Sequence, residues 1–364
     1  MKEYIGVDLG KRKAVVVKKD RRGKITGRAT LAVTQAALER YFSKQDSTSQ
    51  VVVEASGNWM FLYETIEKYT PQVVLAHPLK TRAIAEARIK TDTIDATTLA
   101  ELLRLDGIPK AYIPPREVRD MRELLRYRAS LVSLRMGLKN KIHAVLTKNA
   151  IECSWSNVVG KKSQRWLKTL LVRPCYRQEL DGYIRLAEVM TALIAEITTT
   201  IKQLVAENAQ AQLLMSVPGI SYYSALLILS EIGETERFPS AKHLCSYAGL
   251  VPSVYSSGNK SFHGRITKQG SRWLRWICVE ISIHAANGDA RLQSLYRRVS
   301  RRRGFATAKV AVARKILTII YAMLKNNEPF RGRSPRQRIL AKAWSKKRNP
   351  ISGHPPGVMV SAQG

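Results

Sequence analysis

Four acidic residues near the N-terminus stand out because each follows an apolar run or opens a predicted helix: Asp8, Glu54, Asp92 and Asp95. The runs before the first two are short and rich in β-branched residues, which predicts buried strands. Carboxylates at such positions can converge on one edge of a sheet. Like charges held that close together either bind a hard cation or repel each other, so a fold that gathers them needs a counter-ion.

The order of predicted elements in residues 1–112 is that of an α/β domain. We expect strands at 3–8, 13–19, 25–31, 50–54 and 72–76, and helices at 35–44 and from about Asn58. Three antiparallel strands followed by alternating helices and strands is the order of a ribonuclease-H-like fold, in which acidic residues meet at one sheet edge. The acidic positions fit that fold by analogy.

A helical segment is predicted for residues 113–210. After a double proline, apolar residues recur at spacings of three, four or seven from Leu124 to Val145 and again from Leu186 to Leu204. Two long helices with apolar seams predict an antiparallel hairpin or a coiled coil between subunits. Packing within one chain remains open, because a seam does not say which chain supplies its partner.

The segment 211–330 begins with two short predicted helices around a Pro-Gly turn, at Val217 to Ile220. This is the helix-hairpin-helix pattern, in which backbone N–H groups at a helix N-terminus bind a phosphate without reading a base. Gly219 is therefore a candidate nucleic-acid-binding residue. A purely structural helix turn would show the same pattern.

The chain is strongly basic, with 61 Lys and Arg against 28 Asp and Glu and a formal net charge of +33. Such an excess predicts a polyanionic partner, with nucleic acid favoured over a membrane surface because no basic amphipathic anchor stands out. In the last third, four cations fall at helical intervals beside two tryptophans: Arg265, Lys268, Arg272 and Arg275. We expect these four to bind phosphates. A basic disordered tail is predicted over 331–364.

No apolar stretch looks long enough to cross a bilayer, and the longest, at 316–324, has about half the required length. We therefore expect a cytoplasmic protein.

A loop with two adjacent serines precedes the basic region. The tract Tyr247–Pro252 leads to Ser256-Ser257-Gly258, which offers a hydroxyl beside phosphate-binding cations. A serine hydroxyl is a weak nucleophile, so it needs either a nearby base or a polarised phosphate.

Taken together, these tracts closely resemble the DEDD-type transposases of insertion sequences. These are bridge-RNA-guided recombinases with an N-terminal RuvC-like domain and a C-terminal transposase domain. The resemblance rests on the acidic positions in their motifs, on Val217–Ile220, and on the tract from Tyr247 to Gly258. It covers nearly the whole chain.

The resemblance implies a catalytic serine at Ser257, which attacks a DNA phosphodiester and forms a covalent phosphoserine link. It also implies that Asp8, Glu54, Asp92 and Asp95 bind Mg²⁺, with Mn²⁺ as a substitute, and support the transfer. The implied partners are donor and target DNA, a structured non-coding guide (bridge) RNA, and further copies of the chain in a homodimer that assembles to a tetramer. The place of action would be the nucleoid. Ser256 remains an alternative nucleophile, because only the glycine neighbour selects Ser257.

Two other functional classes remain open at this stage. One is a metal-dependent, structure-specific nuclease resembling a junction resolvase, which would use only the acidic residues with water as the nucleophile. The other is a non-enzymatic RNA-binding or architectural protein, which gives no reason for four clustered carboxylates in so basic a chain.

Overall fold

The computed structural model describes residues 3–55, 57–85, 91–257 and 260–332. It divides the chain into two compact units, Met1–Pro114 and Pro115–Gly364. The predicted basic tail falls almost entirely outside the described residues, as does Gly258 of the serine loop.

The first unit is built on a five-stranded mixed sheet with the strand order β3-β2-β1-β4-β5. The strands are β1 (Tyr4–Leu9), β2 (Lys13–Lys19), β3 (Ile25–Ala32), β4 (Gln50–Glu54) and β5 (Val73–Ala76). The first three pair antiparallel, whereas β1 with β4 and β4 with β5 pair parallel. The predicted α/β order is therefore confirmed, and it is consistent with a RuvC-like fold.

Helices cover both faces of this sheet. They are α1 (Gln35–Phe42), α2 (Trp59–Glu67), α3 (Pro78–Ile84) and α4 (Asp92–Arg104). Leu38 and Leu62, from α1 and α2, are fully buried in one core with the strand residues. Leu99 and Leu103 of α4 pack with Val52 in a second core. Because both faces are buried, β1 and β4 read as continuous apolar runs.

The second unit is almost entirely helical. Its helices are α5 (Arg116–Lys148), α6 (Lys161–Thr169), α7 (Pro174–Ala206), α8 (Ala209–Leu214), α9 (Tyr222–Ile232), α10 (Ala241–Tyr247), α11 (Arg272–Gly288) and α12 (Ala290–Asn326). A two-stranded antiparallel hairpin, β6 (Pro252–Ser257) with β7 (Lys260–Ile266), lies between α10 and α11. Its main hydrophobic core joins the long helices to the segments that follow them.

The two long helices α5 and α7 pack against each other within the chain. Their seams are buried at Leu131 of α5 and at Ile197 and Ile201 of α7. Other apolar positions on the same helices stay exposed, including Leu134 at 57% and Leu186 at 51%. Part of the apolar seam of α5 is thus buried against α7 of the same chain, and part of the seam of α7 against α5. A coiled coil between subunits stays a prediction.

Helix α7 also has the length and composition of a membrane span, with a mean hydropathy of 1.3 over its most apolar window. A single helix of this kind does not indicate a membrane protein, because core helices can have the same length and apolar composition. Here Ile194, Ile201 and Val205 lie in the main core, whereas only 22% of the most apolar window of the helix is buried.

Helix α12 is broken at Gly304, whose φ of 80° and ψ of 166° are not helical. Before the break the helix carries exposed arginines, and after it Val312, Ile316 and Ile320 are fully buried. The break therefore separates a charged, solvent-facing part from a part held in the core.

Candidate functional site: an acidic sheet edge and a serine hairpin

The parallel pairing of β1 and β4 places two acidic residues at one edge of the sheet. Val7 and Val53 are register partners, and Asp8 and Glu54 are the next residues on their strands. Parallel strands present equivalent ends at the same edge, so both carboxylates emerge there. Each is only half-buried.

Gly6 allows helix α4 to cross directly over β1. A Cβ at position 6 would lie 2.1 Å from the carbonyl oxygen of Ala96 and 2.6 Å from the backbone nitrogen of Ala100. Only a residue without a side chain permits this approach of strand and helix. Because Ala96 directly follows Asp95, the contact fixes the first turn of α4 near the strand end that carries Asp8.

Asp92 and Asp95 both lie in that first turn, as the sequence predicted, and Thr91 caps the helix by accepting a hydrogen bond from the Ile94 N–H at 3.2 Å. Acidic residues suit a helix N-terminus because of the positive end of the helix dipole. The structure therefore brings together all four acidic residues that the sequence singled out. Gly6 was missed, although a glycine inside an apolar strand signals a close backbone approach.

The electrostatics of Asp8 show that the four charges act on one another. Burial, followed in decreasing order by the negative charges of Asp92, Asp95 and Glu54, raises the pKa of Asp8 to about 6. A hydrogen bond from the Leu9 backbone acts in the opposite direction. Within the described ranges, none of the four carboxylates forms a salt bridge. The edge thus carries concentrated negative charge with no counter-ion from the part of the chain that the structure describes.

This donor set suits a hard divalent cation, because such ions prefer carboxylate oxygens. Among residues 3–55, 57–85, 91–257 and 260–332, however, no three His, Cys, Asp or Glu side chains are already spaced as a metal-ligand set. The raised pKa of Asp8 shows that the four carboxylates are close enough to repel one another, whereas metal coordination requires shorter distances between their oxygen atoms. Chemistry and charge fit a cation, and the binding role of each carboxylate stays a prediction.

The far end of α4 is held to the sheet by a charged network. Lys19 of β2 donates to Glu101 at 2.7 Å, and Arg104 pairs with the same carboxylate. Hydrogen bonds from Arg104 and Lys19 lower the pKa of Glu101 to about 2. The network anchors the helix whose other end carries Asp92 and Asp95.

The serine loop forms the end of the β6–β7 hairpin. Ser257 is the last residue of β6, and its backbone pairs with Lys260. Ser256 is exposed, and its hydroxyl shares a hydrogen bond with Ser261 at 3.0 Å across the hairpin. The nucleophilic role of Ser257 stays a prediction.

The four predicted phosphate-binding cations do not share one helix, so the inferred helical spacing is wrong for two of them. Arg265 lies on β7, and Lys268 lies in the following loop with a φ of 54°. Helix α11 begins only at Arg272, after the cap residue Ser271. The spacing of the charged residues did not predict the β6–β7 hairpin. Residues on a strand and in the loop after it can be three or four positions apart, as residues on one face of a helix are.

Arg275 lies on α11 and has a structural contact. Its guanidinium donates to the Ala248 carbonyl at 3.0 Å, and burial lowers its pKa. Arg265, Lys268 and Arg272 are exposed. Phosphate binding by all four stays a prediction.

The predicted Pro-Gly turn joins α8 to α9, and Gly219 has a φ of 85°. A Cβ at this position would lie 2.6 Å from the Cβ of His284, so the turn packs closely on α11. Ser221 then starts α9 with a capping box to Ser224. Gly219 is exposed, and phosphate binding at its backbone stays a prediction.

A buried acid that the sequence analysis did not use joins three helices. The Glu231 side chain is 3% exposed; it accepts from Arg126 of α5 at 2.9 Å and from Ser271 at 2.8 Å. Because Ser271 caps α11, Glu231 helps to fix where that helix begins after the hairpin. An acid inside the apolar run of α9 was the available signal.

Two family models match the chain. A model for DEDD transposases of the IS110 type, described as a transposase, matches residues 5–150. A model described as the transposase IS116/IS110/IS902 family matches residues 211–297. The first range contains the acidic sheet edge, and the second contains the serine hairpin.

Several curated proteins are similar along most of their length. The transposase for insertion sequence element IS1111A of Coxiella burnetii is 26% identical over 349 residues, which is 90% of this chain and 91% of that protein. The transposase for IS1328 of Yersinia enterocolitica is 28% identical over 76% of this chain and 81% of its own length. A pilin gene-inverting protein of Moraxella bovis is 26% identical over 78% of this chain and 82% of its own length.

Proposed function

The chain belongs to the DEDD-type transposases of the IS110 family, and we propose that it exchanges DNA strands through a serine nucleophile and a cation held at the acidic sheet edge. It is an enzyme that acts on DNA. The observation that carries the proposal is the clustering of four carboxylates that have no ion-pair partner among the described residues; burial and this clustering together raise the pKa of Asp8 to about 6. So basic a protein has no structural need for such a cluster.

The proposed reaction is a pair of transesterifications. The Oγ of Ser257 forms a bond to phosphorus, one bridging P–O bond of the DNA breaks, the serine proton passes to solvent, and the released DNA oxygen takes up a proton. In the second step, a hydroxyl of another DNA end attacks the phosphoserine. This re-forms a phosphodiester and returns a proton to Ser257, so the number of phosphodiester bonds is unchanged.

The four carboxylates would hold the divalent cation through their oxygen atoms, with Mg²⁺ proposed and Mn²⁺ as a substitute. When bound, the cation would polarise the phosphate and stabilise the charge that develops on it. The residues of the chain provide its position: β1 and β4 carry Asp8 and Glu54, and Gly6 holds the first turn of α4 beside them.

The finer partner assignments follow from the same family resemblance. We propose donor and target DNA as substrates, a structured bridge RNA as the guide, and a homodimer that assembles to a tetramer. Exposed apolar residues on α5 and α7, such as Leu134 and Leu186, support a contact between copies along the long helices. The proposed place of action is the nucleoid in the cytoplasm.

A trapping experiment tests the serine mechanism. The full-length protein is incubated with guide RNA, Mg²⁺ and a DNA substrate that cannot complete strand exchange, and adducts stable to denaturant are mapped by mass spectrometry. We expect a phosphodiester on Ser257 and none in Ser257→Ala, which should fold normally because it loses only one hydroxyl at the end of β6.

Ser256→Ala is the matched control, and it should retain the adduct although its bond to Ser261 is lost. An adduct on Ser256 would move the nucleophile by one residue. Full cleavage by the Ser256→Ala/Ser257→Ala double variant would remove serine catalysis. It would leave the metal-dependent nuclease, with water as nucleophile at the acidic edge, as the better description.

A further inference from the structure

An aromatic cavity of about 570 Å³ lies between α5, α9 and α11 in the second unit. Its volume is in the range of roughly 300–1,000 Å³ that is usual for ligand sites. The side chains that carry the argument are Arg128, Met136, Tyr223, Arg272, Trp273 and Trp276. Trp276 is 41% exposed and stands edge-to-face with Trp273 at a centroid distance of 5.7 Å.

Two guanidinium groups border this cavity. Arg128 lies 4.5 Å from the ring centroid of Tyr223, and Arg272 lies 5.6 Å from that of Trp273. Among the described residues, neither arginine has a carboxylate partner, and the cavity lining contains no Asp or Glu. Burial lowers the pKa of Arg128, which shows that its charge is partly removed from water.

Aromatic rings beside guanidinium groups that have no carboxylate partner are typical of sites that bind single-stranded nucleic acid. Bases stack on aromatic rings, and arginines bind the neighbouring phosphates. An apolar protein segment would offer no anion to these two guanidinium groups, and it would bury part of their charge. Arg128 already donates one hydrogen bond, to the Thr198 hydroxyl at 3.1 Å.

We propose that this cavity binds an unpaired DNA base, stacked on the face of Trp276 with its edge against Trp273, and with Arg272 on an adjacent phosphate. The proposal rests on the proposed function, since strand exchange requires DNA to be unpaired near the cut. The position in the chain agrees with it: α11, which carries these three residues, directly follows the serine hairpin and its connecting loop. A base held here would keep an opened strand from re-pairing.

The test uses the full-length protein without divalent cations, so that binding is measured without cleavage. The probe is a single-stranded DNA oligonucleotide with one 2-aminopurine, whose fluorescence is quenched when it stacks on an aromatic ring. We expect quenching by the wild-type protein. Trp276→Ala should bind the oligonucleotide about 5- to 150-fold more weakly, the range that corresponds to the loss of one stacked base.

Trp276→Phe should retain most of the quenching, because it keeps an aromatic face. Phe305→Ala is the matched control: Phe305 is an exposed aromatic residue, at 64%, outside the cavity. Its removal should leave the quenching unchanged. An abasic site in place of 2-aminopurine should weaken binding to wild type and leave Trp276→Ala unaffected.

Equal quenching by wild type and Trp276→Ala would overturn the proposal. Tighter binding of an RNA oligonucleotide of the same sequence would overturn the assignment to DNA. A change of oligomeric state in Trp276→Ala with quenching intact would show that the cavity contacts a second copy instead. Because the assay does not involve Ser257, quenching without a serine adduct would reject the serine mechanism and leave this site standing.

Discussion

At the scale of single residues, the protonation of Asp8 depends on the other carboxylates of the acidic edge. Its pKa is raised from 3.8 to about 6 by burial and by three neighbouring carboxylates. The folded chain therefore holds this proton more tightly than the unfolded chain does. The stabilisation that this gives is fully present below pH 3.8 and is lost as the pH rises through about 6.

Asp8→Asn should therefore stabilise the metal-free protein at pH 8, because it removes an ionised group from a repulsive site. The gain should be on the order of 1–2 kcal/mol after allowance for solvent screening, since the side chain is only half-buried. The measurement is thermal unfolding in EDTA at pH 8 and near pH 4, where the difference should vanish. An unchanged melting temperature at pH 8 would contradict the electrostatic account.

Adding Mg²⁺ should reverse the order of stability of wild type and Asp8→Asn. Wild type should gain stability with increasing Mg²⁺, since a ligand that binds only the folded state raises its melting temperature. Asp8→Asn should gain much less and should lose recombination activity. Equal stabilisation of both proteins would place the cation elsewhere.

At the scale of elements, the packing of α4 on β1 determines whether the acidic residues meet. Gly6→Ala would place a Cβ 2.1 Å from a backbone oxygen of α4, and a backbone atom cannot rotate away. The helix has to shift, so we expect a destabilisation of about 1–3 kcal/mol and a large loss of recombination.

Gly137→Ala on α5 is the control, because a Cβ there meets nothing within 4 Å. It should leave stability unchanged or raise it slightly, since alanine favours a helix. Denaturant unfolding and a recombination assay measure both variants. Wild-type activity in Gly6→Ala would mean that α4 has room to move without displacing Asp92 and Asp95.

Much of the first unit was predictable from its sequence. Each strand of that sheet lies within a residue or two of its predicted range, because both faces are buried and the apolar runs are unambiguous. The acidic residues were recognisable by their place at the ends of those runs. The metal geometry was not, because it depends on side-chain distances that no pattern encodes.

The second unit was harder to predict, because its contacts join residues far apart in the chain. Arg126 and Glu231 are 105 positions apart, yet they form a part-buried ion pair. The aromatic cavity likewise combines α5, α9 and α11. The interval from Arg265 to Arg275 looked helical because spacing alone does not distinguish a strand and loop from a helix turn.

At the scale of the whole molecule, the net charge of +33 determines how binding responds to salt. Each phosphate contact releases condensed counter-ions, so the slope of log K against log salt falls by about 0.9 for each lost contact on duplex DNA. The exposed cations on β7 of the serine hairpin and directly after it are candidates for such contacts.

The triple variant Arg265→Ala/Lys268→Ala/Arg272→Ala should therefore reduce that slope by about two to three units, with little change in sequence preference. Binding is measured by titration over a range of salt concentrations. Lys44→Ala/Lys80→Ala removes exposed charge from the first unit and should change the slope less. A larger change in this control would move the main phosphate-binding surface to the first unit.

The two parts of α12, before and after the break at Gly304, should tolerate substitutions to different degrees. Arginines from 297 to 303 face solvent, so they can be gained, lost or moved without opening a cavity in the protein. The part after the break has to retain Val312 and Ile316, whose surroundings are closely packed. Relatives that have adapted to different nucleic acids should therefore diverge before this glycine and resemble one another after it.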